Sequence, residues 1–302
     1  MLLDPLVPKN FAGWFERVIK LFRGEFGPLA LLAAVPAVLT AAYLVALNAV
    51  RQSPEEVQQR LTAVAAASPT HAVGASDAFG VVFGRMLPII VVFMVLMLVA
   101  GALYEGAGVF TVLRRASGQQ SSTGAALRFA LPRLPAFVGW NLLGGLLLTA
   151  AIALPILPGV LAHVLPLVIA GAVIAIGLAV LVGVAVFSSL FGVVLIERAG
   201  IPRCRELVRG RFAATTARML VIGVIYIGYS VLTSLLVAGV AALVGAGLIS
   251  SVVQALVTIP ALVFQVSASL VTYAELRNHE NRSVSTTTLA AELLTGSSVS
   301  VR

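Results

Sequence analysis

Hydrophobic and polar positions along this chain fall into long blocks, without the short alternation of half-buried strands. Six blocks are apolar almost throughout: Phe26 to Val50, Leu87 to Leu113, Ala136 to Leu154, Leu167 to Ile196, Met219 to Val244 and Val252 to Tyr273. A hydrocarbon layer ~30 Å thick is crossed by ~20 helical residues rising 1.5 Å each, and each block approaches or exceeds that length. The pattern predicts an all-α fold, a polytopic membrane bundle of six transmembrane helices occupying residues 1–277. Residues 278–302 are rich in Ser and Thr and are expected to form a flexible tail, with a helical turn offered only around Leu289 to Leu294. Between the first two blocks, an outer loop over 51–78 opens with Ser53-Pro-Glu-Glu56, which reads as a capped helix start running to about Ala67.

Charge orients the spans. Four inner segments carry Lys9, Arg17, Lys20 and Arg23; Arg114, Arg115, Arg128 and Arg133; Arg198, Arg203, Arg205, Arg209, Arg211 and Arg218; and Arg277, Arg282 and Arg302. The opposite side keeps only Arg51, Arg60 and Arg85. Retention of basic segments in the cytoplasm then predicts an inner, plasma-membrane protein with both termini cytoplasmic. A net charge of +8 also suits a nucleic-acid binder, but 60% hydrophobic residues and a mean hydropathy of +1.05 leave no polar exterior for one, so no nucleic-acid partner is expected. The first apolar run is about twice the length of a signal-peptide core and should stay uncleaved. A single cysteine, Cys204, excludes an internal disulfide, and arginine heavily outnumbering lysine suits a GC-rich bacterial genome.

Before the first, third and fifth spans lies a basic, amphipathic lead-in, near 11–24, 123–134 and 202–214. In the first, Phe11, Trp14, Phe15, Val18, Ile19 and Phe22 recur at helical spacing while Glu16, Arg17, Lys20 and Arg23 take the other face. Such helices are expected in the membrane interface, apolar side in the acyl boundary and basic side on anionic headgroups. The first and third share a core, Leu21-Phe-Arg-Gly-Glu-Phe26 and Leu207-Val-Arg-Gly-Arg-Phe212, and Leu131-Pro-Arg133 keeps its Leu-x-Arg start. The implied unit is one interfacial helix followed by a helical hairpin, used three times. Arg17, Lys20, Arg23, Arg133, Arg205, Arg209 and Arg211 are the candidate headgroup ligands, with anionic membrane lipids as the expected partners.

Together with Glu197-Arg198 after the fourth block and Tyr273-Ala-Glu-Leu-Arg277 after the sixth, the Leu-Val-Arg-Gly-Arg-Phe core resembles the pattern of a bacterial six-helix membrane family. That family includes the membrane domain preceding the catalytic domain of some glycerophosphoryl diester phosphodiesterases, and related stand-alone membrane proteins of unknown function. The resemblance runs from Phe11 to Arg277 and implies a six-helix membrane region. It does not bring the hydrolase activity with it, since the segment after Arg277 is far shorter than a catalytic barrel.

Chemistry is sparse. Glu105 is the only carboxylate well inside a span, about 12 Å from the basic end at 1.5 Å per residue. Asn141, Tyr226 and Gln265 fall at comparable depths, so the four could form one polar layer, with Tyr226 or Gln265 donating to Glu105. An intramembrane carboxylate is a candidate transport site, and equally a polar contact that joins packed helices. The three histidines and the lone cysteine are too scattered for a metal site or a Cys-His pair, and no phosphate-binding loop is present. The expectation is a non-catalytic protein without metal or cofactor, acting as a lipid-interacting scaffold or partner-binding module. A small-solute or lipid transporter built around Glu105 is the alternative.

Overall fold

The computed structural model describes residues 4–50, 54–67, 80, 84, 86–245 and 247–295. The fold is all-α and polytopic, with six helices long and apolar enough to cross a bilayer. In chain order the helices are α1 (Phe11–Val50), α2 (Pro54–Ala67), α3 (Leu87–Ala116), α4 (Thr123–Ala130), α5 (Leu134–Leu161), α6 (Leu165–Val182), α7 (Ile201–Val208), α8 (Phe212–Val244), α9 (Leu248–Glu280) and α10 (Thr286–Thr295). Outward faces of the long helices carry large apolar side chains in series, such as Val224, Ile227, Val231 and Leu235 on α8, all more than half exposed. Contiguous apolar surface on this scale is a solvent-facing liability and a lipid-facing necessity.

The chain forms two compact units. The smaller takes the described parts of residues 34–100 and 231–259; within it the rings of Tyr43 and Phe93 meet at a tilt of 48° with centroids 5.5 Å apart. Its helix α2 lies in the loop between the first two spans, while Ser53, the expected cap, and residues 68–78 lie outside the described residues. The larger takes the described parts of 1–33, 101–230 and 260–302, and holds almost every charged group. Its core is built on Trp14, Leu29, Leu113, Phe137, Leu195, Leu270 and Tyr273, each nearly or wholly buried.

The lead-in segments take three different forms. In α1 the lead-in and the span are one helix of 40 residues, rising about 60 Å, roughly twice the hydrocarbon thickness. The expected separate interfacial helix over 11–24 therefore does not form. Its Trp14, Val18 and Leu21 are covered by protein, with Trp14 Nε1 donating to Thr272 Oγ1 at 3.0 Å, while Phe11 and Phe15 stay exposed. The second lead-in is α4, capped by Ser122 whose side chain accepts from the Ala125 amide, then a 3₁₀ turn over Leu131–Arg133. The third is α7, which ends at Arg209 and turns at Gly210, φ +82°, before α8 starts. The shared hexapeptide is thus helical throughout in α1 and broken by a turn at its second occurrence. In α1 the equivalent glycine is followed by Glu25, which Arg115 of α3 holds at 2.7 Å, so tertiary contacts choose between the two conformations.

The fourth span also departs from a straight rod. After α6 the chain continues as a π-helical turn over Gly183–Phe187, breaks at Ser188–Ser189, makes one α-turn at Leu190–Gly192 and ends in a second π-turn, Val193–Glu197. π-turns widen a helix locally and recur at functional sites. Here Leu190 to Ile196 are all buried, against Phe137 of α5 and Tyr273 of α9 among others.

The tail departs from the flexible segment its composition implies. Residues Thr286–Thr295 form α10, which packs on Val193–Glu197 with Leu289 and Leu293 fully buried. Two polar clamps explain the order. Asp4 accepts from the Thr286 amide and hydroxyl at 2.9 and 2.6 Å and from the amides of Leu6 and Val7, and Arg277 holds Glu292 through two bonds of 2.9 and 3.0 Å.

Candidate functional site

Of the four residues expected to share a polar layer, three come together. Gln265 Nε2 on α9 donates to Glu105 Oε1 on α3 at 3.4 Å, a long bond. Tyr226 Oη on α8 donates to the Ala261 carbonyl at 2.8 Å and approaches Gln265 Oε1 at 3.3 Å. Asn141 does not join them: its Nδ2 donates to the Phe137 carbonyl one turn back in α5. Tyr104, beside Glu105, has a buried hydroxyl with no hydrogen-bond partner among the described residues. The sequence offered Tyr104 as one more aromatic in an apolar run, and only the rotation of α3 turns it inward. A mostly apolar cavity of about 360 Å³ lies alongside, lined by Phe22, Tyr226, Tyr229, Pro260, Ala261 and Phe264.

The seven basic candidates divide into three groups. Arg17 and Arg133 are used by the fold. Arg17 Nε donates to the Asp4 carbonyl at 2.9 Å, and Arg133 lies 3.8 Å over the Phe129 ring while bonding the carbonyls of Phe129 and Leu293. Arg211 sits among Arg218, Glu275 and His279 on a crevice at the start of α8. Lys20, Arg23, Arg205 and Arg209 are exposed, and none forms an ion pair among the described residues.

Arg205 and Arg209 belong to a larger feature. Helix α7 packs on the π-turn Gly183–Phe187, burying Cys204, Leu207 and Val208 while Arg205 stays exposed. Between them opens a groove of about 1030 Å³, lined by Leu181, Ala185, Val208 and Phe212 together with Arg205 and Arg209. Glu206, the one carboxylate in its lining, is engaged by Arg203 at 3.4 Å.

Next to this groove lies an ion-pair network that the sequence did not reveal as a unit. Arg203 binds Glu280 through two bonds of 2.7 and 2.6 Å and Glu197 through a third of 2.7 Å; Arg277 bonds Glu280 and Glu292; Tyr273 Oη donates to Glu197 at 2.9 Å. The Glu280 bonds hold Arg203 more firmly charged than an ordinary arginine, burial opposes this, and Glu197 adds to it. Burial pushes the Glu292 carboxyl up, against the pull of Arg277. Each carboxylate here is matched, so the network joins α7, α9, α10 and the second π-turn. Gly192 permits it: a Cβ there would overlap the Tyr273 ring. The signal available in sequence was the presence of glutamates inside otherwise basic gaps.

A second cavity, about 300 Å³, lies at the second π-turn, lined by Arg133, Ala136, Trp140, Val194, Arg198 and Ala199. Arg198 ends the turn in the left-handed conformation, φ +54°, which costs a non-glycine residue roughly 1 kcal/mol. Trp140 is pressed on the backbone of Gly200, where a Cβ would overlap the indole.

Comparison with known protein families, with curated proteins and with solved structures finds no match to this chain.

Proposed function

We propose that this chain is a non-catalytic, multi-pass membrane protein that binds anionic phospholipid in the cytoplasmic leaflet through its basic side and acts as a lipid-interacting scaffold. One observation carries the reading: the groove beside α7, which Arg205 and Arg209, without an ion pair among the described residues, line together with apolar Leu181, Ala185 and Phe212. A soluble anion would not need such walls, and a protein surface facing only lipid tails would not keep two uncompensated arginines. Basic residues near an anionic membrane surface are worth ~1 kcal/mol each. Changing Arg205 and Arg209 to Gln should therefore cost about 2 kcal/mol, roughly a thirty-fold weakening of lipid retention. Native mass spectrometry of the detergent-extracted protein reads this directly. Anionic phospholipid adducts should be lost in the double variant and kept in Arg211→Gln, whose side chain sits with Glu275 instead. Equal retention in wild type and double variant would remove the basis for the proposal.

The hydrogen-bonded chain Tyr226, Gln265 and Glu105 beside an apolar cavity favours a second reading, a transporter that couples flux to a proton on Glu105. The scaffold reading is preferred because transport sites usually bring more charge than one carboxylate.

A further inference from the structure

We infer that the cavity between Arg133 and Arg198 is a second anion site, built to take a phosphate group. The inference deepens the anionic-lipid reading and rests on it for its setting at the basic side. Two arginines line this cavity, and no acidic residue lines it with them. They act on one another as like charges. The glutamates around this end of the fold are committed elsewhere: Glu197, Glu206 and Glu280 to Arg203, Glu292 to Arg277 and Glu275 to Arg218. Arg133 is oriented by neutral partners only, the Phe129 ring and two peptide carbonyls, and its Nε is buried without an acceptor among the described residues. Arg198 forms no ion pair or side-chain hydrogen bond among them.

A like-charged pair facing one space is unfavourable until an anion enters it, and planar guanidinium forks match phosphate oxygens in two-point bonds. Backbone strain at Arg198 strengthens the case. A helix end in the left-handed region ordinarily takes glycine or asparagine, and a strained residue that persists points toward function. Trp140 supplies one apolar wall, and its amphipathic ring suits the level of lipid headgroups. The volume falls at the low end of the ~300–1,000 Å³ typical of small-ligand sites, enough for a phosphate with a small substituent and too small for an acyl chain. A phospholipid headgroup and a soluble phosphate share the chemistry the two arginines would recognise.

Arg198→Gly is the informative variant, because it removes the guanidinium and relieves the unfavourable φ at the same position. Its thermal unfolding in detergent should be unchanged or raised. Tryptophan fluorescence of the full chain, with Trp140→Phe as the background, is then titrated with dioctanoyl phosphatidic acid and with inorganic phosphate. The expected result is a saturable change that vanishes in Trp140→Phe and whose midpoint rises at least tenfold in Arg198→Gly. A response to phosphatidic acid alone supports the site with a lipid source, and a response to inorganic phosphate supports it with a soluble one. No saturable Trp140 response to either probe, or an unchanged midpoint in Arg198→Gly, overturns it. That failure leaves the Arg205 and Arg209 groove untouched, since lipid retention there is read by mass; a phosphate response without any retained anionic lipid would instead sink the lipid reading and keep this site.

Discussion

Among single residues, Glu105 separates the two functional readings most sharply. Its carboxylate accepts one bond of 3.4 Å from Gln265, and a glutamine in its place keeps an acceptor oxygen of the same reach. Under the scaffold reading Glu105→Gln should cost no more than about 1 kcal/mol of stability, whereas Glu105→Leu strands the Gln265 amide and should cost about 1–3 kcal/mol. Thermal unfolding in detergent checks both. Vesicles reconstituted with wild type or Glu105→Gln and loaded with pyranine should show the same proton permeability as empty ones. A proton flux in wild type that disappears in the variant would favour the transporter. The partnership of Glu105 with Gln265 and Tyr226 was legible from depth alone, because rise per residue places groups along an axis. Asn141 failed the same test because depth says nothing of rotation: its side chain turned back to its own helix.

At the level of helices, the sequence showed all six spans and missed how their basic ends are joined. Hydropathy marks where apolar surface is needed. It cannot see that Glu292 would find Arg277, or that Asp4 would cap α10 across a separation of 282 residues. A Ser- and Thr-rich tail therefore read as flexible, when four hydrogen bonds to one carboxylate and two buried leucines order it. Asp4 also sets a pH dependence. Burial raises its pKa, but the bonds from Thr286, Val7 and Leu6 together outweigh this and hold it below the ordinary aspartate value. A depressed carboxylate contributes stability that is fully present above its unfolded pKa, about 3.9, and lost as pH falls through the folded one. Glu292, raised by burial, runs the other way, since it stabilises the fold most when protonated and loses that contribution as pH rises through its folded value. Hydrogen exchange at the Leu6, Val7 and Thr286 amides, corrected for intrinsic rates, should accelerate only below about pH 4. Asp4→Asn should show that faster exchange already at pH 7. Exchange in the variant equal to wild type would mean that the buried leucines alone hold α10.

For the molecule as a whole, the distribution of arginines predicts which side faces the cytoplasm, and the single cysteine makes that testable without a cysteine-free background. Cys204 is buried on the inner face of α7, and burial pushes its thiol up to about 11, against a weaker pull from Ser189. A maleimide reacts with the thiolate, so Cys204 should stay silent at neutral pH. Gln120, in the turn between α3 and α4, and Gln59, on α2, are exposed, and in the chain one follows α3 while the other precedes it. With the basic side inside, Gln59→Cys should react with a membrane-impermeant maleimide on intact cells. Gln120→Cys should react only after the membrane is opened. The reverse pattern would place Arg205 and Arg209 on the outer leaflet, away from the anionic lipid of the cytoplasmic leaflet that their groove is argued to bind. Orientation is therefore the condition on which the lipid reading stands, and its sign comes entirely from the loops, because outward-facing leucines and valines on every span satisfy a bilayer equally well in either direction.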